Sequence, residues 1–203
     1  RSSSSAASDV YKRQILFSID IGIVNLAYCM LDVQDTIVNI LHWEVISLVP
    51  PNTLVKNISL IDIGRTMQIE FDLRMSEQWK DLSIDHIIIE NQIGNKAVRM
   101  KTLQGMVTQY FIQKNTPNIV YWSACNKLKC FLKNNEKTTY YQRKKLGIQI
   151  TNNILECYFI DWSAYFKSHK KKDDLADSLL QGIHYILKSN LTHIFNNAEN
   201  LKL

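Results

Sequence analysis

The sequence lacks any continuous apolar segment near the roughly 20 residues that a membrane-spanning helix requires, and no stretch resembles a secretory signal. Glycine and proline are also scarce, with six and three residues among 203. No cluster of them marks a flexible linker between domains. We therefore expect one intracellular domain that does not insert into a membrane, in a chain long enough to bury a substantial core.

Cysteine and histidine occur without the spacings of a metal site. The four cysteines include no C-x-x-C pair, and the five histidines include no H-x-x-x-H pair. Structural zinc sites and redox motifs use such pairs. We expect reduced thiols, most of them buried, rather than disulfides or zinc ligands.

The two ends of the chain differ in composition from its middle. The first fourteen residues, RSSSSAASDVYKRQ, are polar and stop where an apolar strand begins, which is typical of a linker or a disordered tail. We assign residues 15–190 to the folded domain and residues 191–203 to a C-terminal tail.

Positive charge is concentrated in one segment. The chain has a net charge of +5, yet residues 123–172 contain eleven Lys and Arg against three Asp and Glu, so the remainder is net negative. Within this segment KLKCFLKNNEKTTYYQRKK interleaves lysines with Phe131, Tyr140 and Tyr141. Such a mixture suits phosphates and unstacked bases. A solvated helix face is the alternative.

The order of predicted elements indicates an α/β domain. Apolar alternation and short apolar runs predict five strands, at about 15–23, 26–33, 36–48, 85–90 and 118–122. Spacings of three and four predict helices at about 55–80, 99–114, 138–159 and 172–188. Three strands followed by alternating helices and strands indicate a five-stranded mixed sheet flanked by helices. This order matches a ribonuclease H-like fold, in which the first strand is central, although five strands and flanking helices alone do not single that fold out.

One carboxylate interrupts the first strand. In LFSIDIGIVNLAYCML, Asp20 shares a face with Leu16, Ser18 and Gly22, while large apolar residues occupy the other face. At a sheet edge Asp20 would simply be solvated. In a central strand it would be buried, and would need a cation, hydrogen-bond donors or a proton.

Three further acids are placed where they could meet Asp20. Glu90 ends the strand DHIIIE, and open α/β sheets place their sites at strand ends. Asp174 and Asp177 lie three residues apart at the start of the last helix, although the helix dipole alone explains one or two acids there. Four such carboxylates indicate a site for hard divalent cations, and we expect two Mg²⁺ ions, for which Mn²⁺ can substitute. Such a site hydrolyses phosphodiesters.

At these residues the sequence resembles a known family. The segments SIDIGIVNLAYC, IIIENQ followed by RMKTLQGM, YYQRKK and KKDDLADSLLQ are together similar to the RuvC-like Holliday junction resolvases of mitochondria, poxviruses and related large DNA viruses. The resemblance extends from about Ile15 to Leu187. It implies an endonuclease that resolves four-way junctions in DNA recombination and repair, at a viral replication site, in the virion or in the mitochondrion.

The resemblance also implies roles for individual residues. The family's metal-binding acids correspond to Asp20, Glu90, Asp174 and Asp177, with Asp173 as a neighbour of undefined role. Its DNA-contacting region corresponds to four basic residues: Lys127, Arg143, Lys144 and Lys145.

Other functions compete with this interpretation. A different ribonuclease H-like nuclease, such as a transposase, an exonuclease or an RNA:DNA-hybrid nuclease, would use the same four acids. A junction-binding module could retain the fold without the chemistry. An actin-like ATPase shares the pattern Asp-x-Gly-x-x-Asn, but that fold needs about twice this length and a second glycine-rich loop.

The substrate itself predicts a homodimer. Resolving a four-way junction takes two nicks related by two-fold symmetry, and one site serves one strand at a time. The helix from about Arg99 to Lys114 is the candidate interface, because its apolar stripe is larger than one face against the sheet requires. That stripe would otherwise belong to the core of the monomer. Its members are Met100, Leu103, Met106, Val107, Tyr110 and Phe111.

Overall fold

The computed structural model describes residues 13–94, 97–128, 130–131, 139–192 and 194. They contain one sheet with the strand order β3-β2-β1-β4-β5. The strand β1 pairs with β2 in antiparallel and with β4 in parallel orientation, so the sheet is mixed and β1 is central. The predicted architecture is confirmed. The strands are β1 (Gln14–Asp20), β2 (Leu26–Val33), β3 (Val38–Ile46), β4 (Ile84–Asn91) and β5 (Asn118–Ser123).

Helices cover both faces of the sheet. The first was predicted from about residue 55 but begins at Leu60, because the Ser59 side chain accepts a hydrogen bond from the Asp62 N–H and caps it. A separate 3-10 turn precedes it at Val55–Asn57. The fourth helix was not predicted, since six residues are too few for a clear periodicity. The helices are α1 (Leu60–Glu77), α2 (Val98–Gln113), α3 (Tyr140–Tyr158), α4 (Ser163–Ser168) and α5 (Lys172–Lys188).

An aromatic core fills the face covered by α1 and α2. The ring of Phe17 lies 4.9 Å from the rings of Tyr28 and Trp79 and 5.5 Å from that of Phe111, all in edge-on geometry. Such contacts stabilise a core beyond the area they bury.

The apolar stripe of α2 belongs to this same core. Leu103, Val107 and Phe111 are fully buried and Tyr110 nearly so. The interface predicted on this stripe is therefore wrong, and the monomer-core alternative holds.

The opposite face packs closely against α5. A Cβ atom at Gly182 would lie 3.0 Å from a methyl carbon of Leu31 and 3.2 Å from the Cβ of Ser18. The small side chains on this face of β1 thus let the helix approach the sheet. As predicted, the buried stripe of α5 contains Leu175, Leu179, Ile183 and Ile186.

Three further expectations have mixed outcomes. All four cysteines are free, but only Cys29 is buried. Phe131, grouped above with the basic segment, is buried in the core and offers no surface for a base. Within the described ranges, no helix has the length and apolar character needed to cross a membrane.

The packed part of the chain extends slightly beyond both predicted boundaries. Arg13 pairs with Asp32 at 3.0 Å, and the buried Thr192 hydroxyl donates to the backbone oxygen of Asp35. The rest of the predicted tails, residues 1–12, 193 and 195–203, lies outside the described residues.

Candidate active site

The central strands place two carboxylates at the same edge of the sheet. Asp20 is the last residue of β1, and Glu90 is the last but one of β4. The preceding residues, Ile19 and Ile89, are partners in the parallel ladder, so the two acids emerge side by side. The Asp20 side chain is only 11% exposed. It is therefore buried at the end of a central strand rather than solvated at an edge.

A third carboxylate arrives from α5, and one lysine joins all three. The Nζ of Lys127 lies 2.8 Å from Asp20 Oδ1, 3.0 Å from Glu90 Oε1 and 3.3 Å from Asp177 Oδ2. The Lys127 side chain is 5% exposed. Three separate elements thus converge on one buried ammonium group. We call Asp20, Glu90, Asp177 and Lys127 the carboxylate cluster.

The structure places Lys127 in the carboxylate cluster, which was not predicted. The sequence identified it as a candidate DNA-contacting residue, and in the structure its ammonium group is paired with Asp20, Glu90 and Asp177. It follows β5 after a short 3-10 turn at Ala124–Asn126, and β5 is the parallel neighbour of β4. A lysine just past the end of this strand is therefore beside Glu90. That adjacency was the signal available in the sequence.

Burial and charge act in opposite directions on the carboxylate cluster. Burial raises the pKa of Asp20 well above its ordinary value; the Lys127 charge opposes this, while the negative charges of Glu90 and Asp177 add to it. Burial also works against ionised Glu90, yet the charge and hydrogen bonds of Lys127 lower its pKa. For Lys127, the three carboxylates outweigh burial and raise the pKa. One cation facing three acids leaves the cluster with surplus negative charge.

Asp174, the fourth predicted acid, lies on the same helix but has no ion pair with Lys127 among the described residues. It is half-buried, and its Oδ2 is enclosed without a hydrogen-bond partner in the described part of the chain. Burial first, and then the charge of Asp173, raise its pKa. An enclosed carboxylate oxygen without a donor is a costly arrangement unless a cation or a proton completes it.

A pair of glutamines supports Glu90 from the other side. Gln92 Nε2 donates to Glu90 Oε2 at 2.7 Å, and the Gln92 backbone N–H donates to Gln104 Oε1 of α2 at 2.8 Å. The sequence analysis did not identify either residue. The period of two along β4 was the available signal, since Glu90 and Gln92 fall on one face.

The predicted basic residues of α3 lie near the start of α5. Lys144 is half-buried and forms an ion pair with Asp173, which gives that acid a definite structural partner. Arg143 and Lys145 are exposed on the same helix. A capping box between Thr139 and Gln142 fixes the start of α3 just ahead of them.

As these side chains stand, the carboxylates surround an ammonium group. In the ranges that the structure describes, no group of three His, Cys, Asp or Glu side chains is arranged to hold a metal ion. Lys127 contacts one oxygen each of Asp20, Glu90 and Asp177, so a divalent cation bound here would share the carboxylates with its ammonium group.

Comparison with solved structures shows the fold. The fowlpox virus resolvase, solved with its substrate Holliday junction DNA, has a TM-score of 0.62 at 18% identity, covering 87% of this chain and 99% of that chain. The yeast mitochondrial Holliday junction resolvase Ydc2 has a TM-score of 0.63 at 18% identity, covering 94% and 87%. The resemblance to this group of folds, inferred from the sequence, is confirmed.

Sequence comparisons extend the relationship. The uncharacterized protein L451 of Acanthamoeba polyphaga mimivirus is 29% identical over 155 residues, which are 66% of this chain and 36% of that protein. The chain thus spans about a third of the length of this relative. A family model described as Poxvirus A22 protein matches residues 14–189. The chain belongs to the Poxvirus A22 protein family.

Proposed function

We propose that this protein is a structure-selective DNA endonuclease that resolves four-way (Holliday) junctions. The observation that carries the proposal is the convergence of Asp20, Glu90 and Asp177 on one buried position. Membership of the Poxvirus A22 family, and likeness in fold to two proteins named Holliday junction resolvases, support it. The surplus negative charge buried in the carboxylate cluster favours a catalytic role. A protein that only binds DNA uses positive charge to contact phosphates, so buried acids would not strengthen its binding.

The residues present fit hard divalent cations. Carboxylate oxygens are the ligands that Mg²⁺ prefers. Bound cations would compensate both the surplus charge of the carboxylate cluster and the Asp174 Oδ2, which has no hydrogen-bond partner among the described residues. We assign Asp20, Glu90, Asp174 and Asp177 as ligands of two Mg²⁺ ions, for which Mn²⁺ can substitute. Bound there, two ions would activate a water and stabilise the leaving oxygen of a phosphodiester.

Lys127 has a defined role in this scheme. Its ammonium group neutralises part of the carboxylate cluster, which keeps three buried acids compatible with a folded protein. If a cation took its place at the carboxylates, Lys127 would lose these ion pairs, and its charge would be available to the phosphodiester. A positive group placed at developing negative charge stabilises a transition state.

The start of α3 supplies the surface for the DNA backbone. Arg143 and Lys145 are exposed, and the ion pair between Lys144 and Asp173 ties this surface to the helix that carries Asp174. Scattered cations of this kind contact phosphates and position the duplex without reading bases. They would hold a branched DNA against the carboxylate cluster.

We also propose that the active form is a homodimer, since two symmetric nicks need two sites. Mixing tests this. Wild-type protein combined with a large excess of the Asp20→Asn variant is expected to nick one strand of a junction without cutting its symmetric partner. Paired nicks that persist in this mixture would contradict the dimer.

The relatives named above are viral and mitochondrial, so we propose action at a viral replication site, in the virion or in the mitochondrion.

The deciding experiment compares three substrates. Purified protein is incubated with a synthetic four-way junction, a linear duplex of the same sequence and an RNA:DNA hybrid, with and without Mg²⁺. We expect paired nicks at the junction only, and only with the metal. Cleavage of the hybrid or of duplex ends would indicate another ribonuclease H-like nuclease. Junction binding without nicks under any metal would indicate a non-catalytic module.

A further inference from the structure

A fully buried glutamine lies one helical turn beyond Asp177. The Gln181 Nε2 is 3.1 Å from the backbone oxygen of Ile19, 3.2 Å from that of Ile88 and 3.2 Å from Ser18 Oγ. Carbonyl oxygens only accept hydrogen bonds, so these partners fix the orientation of the amide with its nitrogen toward the sheet.

These contacts connect the three elements that carry the acids. Ile19 immediately precedes Asp20, and Ile88 lies two residues before Glu90. One side chain of α5 therefore holds the backbone of β1 and of β4 at the point where each delivers its carboxylate. The same helix carries Asp177 four residues earlier, on the same side.

The Gln181 amide is a polar group among apolar side chains. Its neighbours Leu179, Leu180 and Ile183 are all fully buried, so an apolar side chain would suit the position. The Gln181 Oε1 accepts no hydrogen bond from the described residues, although it is enclosed. A buried polar atom without a partner is destabilising. Helix packing alone does not explain why this residue is a glutamine.

We propose that Gln181 is a positioning residue of the carboxylate cluster: it sets the spacing between Asp20, Glu90 and Asp177 by tying α5 to the backbone carbonyls of β1 and β4. The proposal rests on the metal-dependent nuclease activity proposed above. Close packing at Gly182, the next residue of α5, makes the spacing sensitive, because even an added Cβ atom there would lie 3.0 Å from Leu31 and 3.2 Å from the Cβ of Ser18.

The test uses the full chain with Gln181→Met, which keeps the length of the side chain and removes the donor. Mn²⁺ affinity is measured by calorimetry, and kcat and KM on a four-way junction are measured separately. We expect Mn²⁺ affinity and kcat to fall about 10- to 100-fold, as for other residues that orient metal ligands. We expect KM and the melting temperature to stay near wild type. Unchanged affinity and kcat would overturn the proposal.

Two further variants make the result specific. Gln181→Asn keeps a polar amide too short to reach both strands, so it is expected to lose Mn²⁺ affinity as well, and it serves if the methionine variant does not fold. Ser178→Ala removes a buried hydroxyl from α5 that contacts Trp43 and Leu175 rather than the acid-bearing strands, and should change neither measurement. If Asp20→Asn also binds Mn²⁺ normally, the metal site itself is wrong, which separates that failure from a failure of Gln181.

Discussion

Two buried cations lie on opposite faces of the sheet, and their surroundings differ. Arg74 of α1 donates to Glu44 at 2.8 Å, to Glu70 at 2.6 Å and to the Tyr28 hydroxyl at 3.2 Å. Its planar group offers several fixed donors, and each acid receives at least one. Lys127 instead offers one ammonium group to three acids. Arg74 faces two acids and Lys127 faces three, so the carboxylate cluster has the larger surplus of negative charge when all of these groups are ionised.

The pKa directions express the same difference. Burial alone would raise the pKa of Glu44, but hydrogen bonds from Arg74 and Tyr28 lower it below its ordinary value. In the carboxylate cluster burial prevails at Asp20, and its pKa is raised despite Lys127. We infer that the ion pairs of Arg74 join elements of the fold, whereas the surplus charge of the carboxylate cluster serves to bind another cation.

The largest expected effect comes from removing a carboxylate of the cluster. Asp20→Asn and Glu90→Gln should each abolish Mg²⁺-dependent junction cleavage, because neutral amides of the same shape lose metal affinity. Junction binding and the melting temperature should remain close to wild type. Gel-based cleavage and binding assays measure this.

A buried aspartate on the neighbouring strand supplies the control. Asp32 of β2 pairs with Arg13 and lies outside the carboxylate cluster, so Asp32→Asn should still cleave. Near-normal cleavage by Asp20→Asn would refute the assignment of the carboxylate cluster as the active site.

Replacing Lys127 tests whether it competes with metal. Lys127→Met is expected to bind Mn²⁺ at least about tenfold more tightly, since a unit charge about 4 Å away contributes several kcal/mol even at an effective dielectric constant near 20. Cleavage should nevertheless fall, because the charge proposed to act on the phosphodiester is gone. Calorimetric titration and single-turnover cleavage separate the two effects. Weaker Mn²⁺ binding in this variant would show that Lys127 supports the metal site rather than competing with it.

Replacing Arg74 should have the opposite profile. Arg74→Met leaves Glu44 and Glu70 without their partner and is expected to cost about 3 kcal/mol of unfolding free energy, the lower end for breaking a buried pair because both acids are partly exposed. The folded variant should keep normal Mn²⁺ affinity and cleavage. Urea denaturation measures the first quantity. If Arg74→Met loses Mn²⁺ affinity while its stability is unchanged, then Arg74 serves the metal site rather than the fold, and it does not differ from Lys127 as proposed.

A smaller effect is expected at the DNA surface. Neutralising Arg143, Lys144 and Lys145 together should weaken binding to junctions of every sequence, and should reduce the slope of log affinity against log salt by about 2 to 3. The matched control neutralises Lys56, Lys80 and Lys101, which are exposed and lie outside the basic segment. If both triple variants lose affinity equally, the start of α3 is not the DNA surface.

The sequence was most informative where periodicity governs structure. The alternation around Asp20 predicted a strand with small residues on one face, and the close approach of Gly182 shows their structural purpose. The acids at the ends of strands were found because parallel strands share an edge. The pairing of Lys127 with these acids was not predicted, because its direction depends on a turn whose geometry leaves no periodic pattern.

Contacts between distant elements were harder to predict. Arg74 and Glu44 lie on α1 and β3, and nothing in either segment identifies the other as its partner. Gln181 likewise is one polar residue in a mostly apolar segment of α5, and its role becomes visible only when the carbonyls of Ile19 and Ile88 are placed beside it. Long-range hydrogen bonds of this kind depend on tertiary packing, which local patterns do not encode.

The smallest expected effect concerns acid stability of the Arg74 group. Glu44 has a lowered pKa in the folded protein, so it binds a proton more readily when unfolded. Its stabilising contribution is therefore complete above its ordinary value of 4.5 and is lost as the pH falls through the lower folded value. Arg74 and Tyr28 are the principal causes, and the neighbouring His42 adds to them. Glu44→Gln should be less stable than wild type by about 1.5 kcal/mol at neutral pH, the lower end of the range for a hydrogen bond to a charged group. Urea denaturation between pH 7 and pH 3 measures the difference, which should shrink as the pH falls. A constant difference across that range would mean that Gln disturbs packing rather than charge, and that the Arg74 group is not held together by its ion pairs.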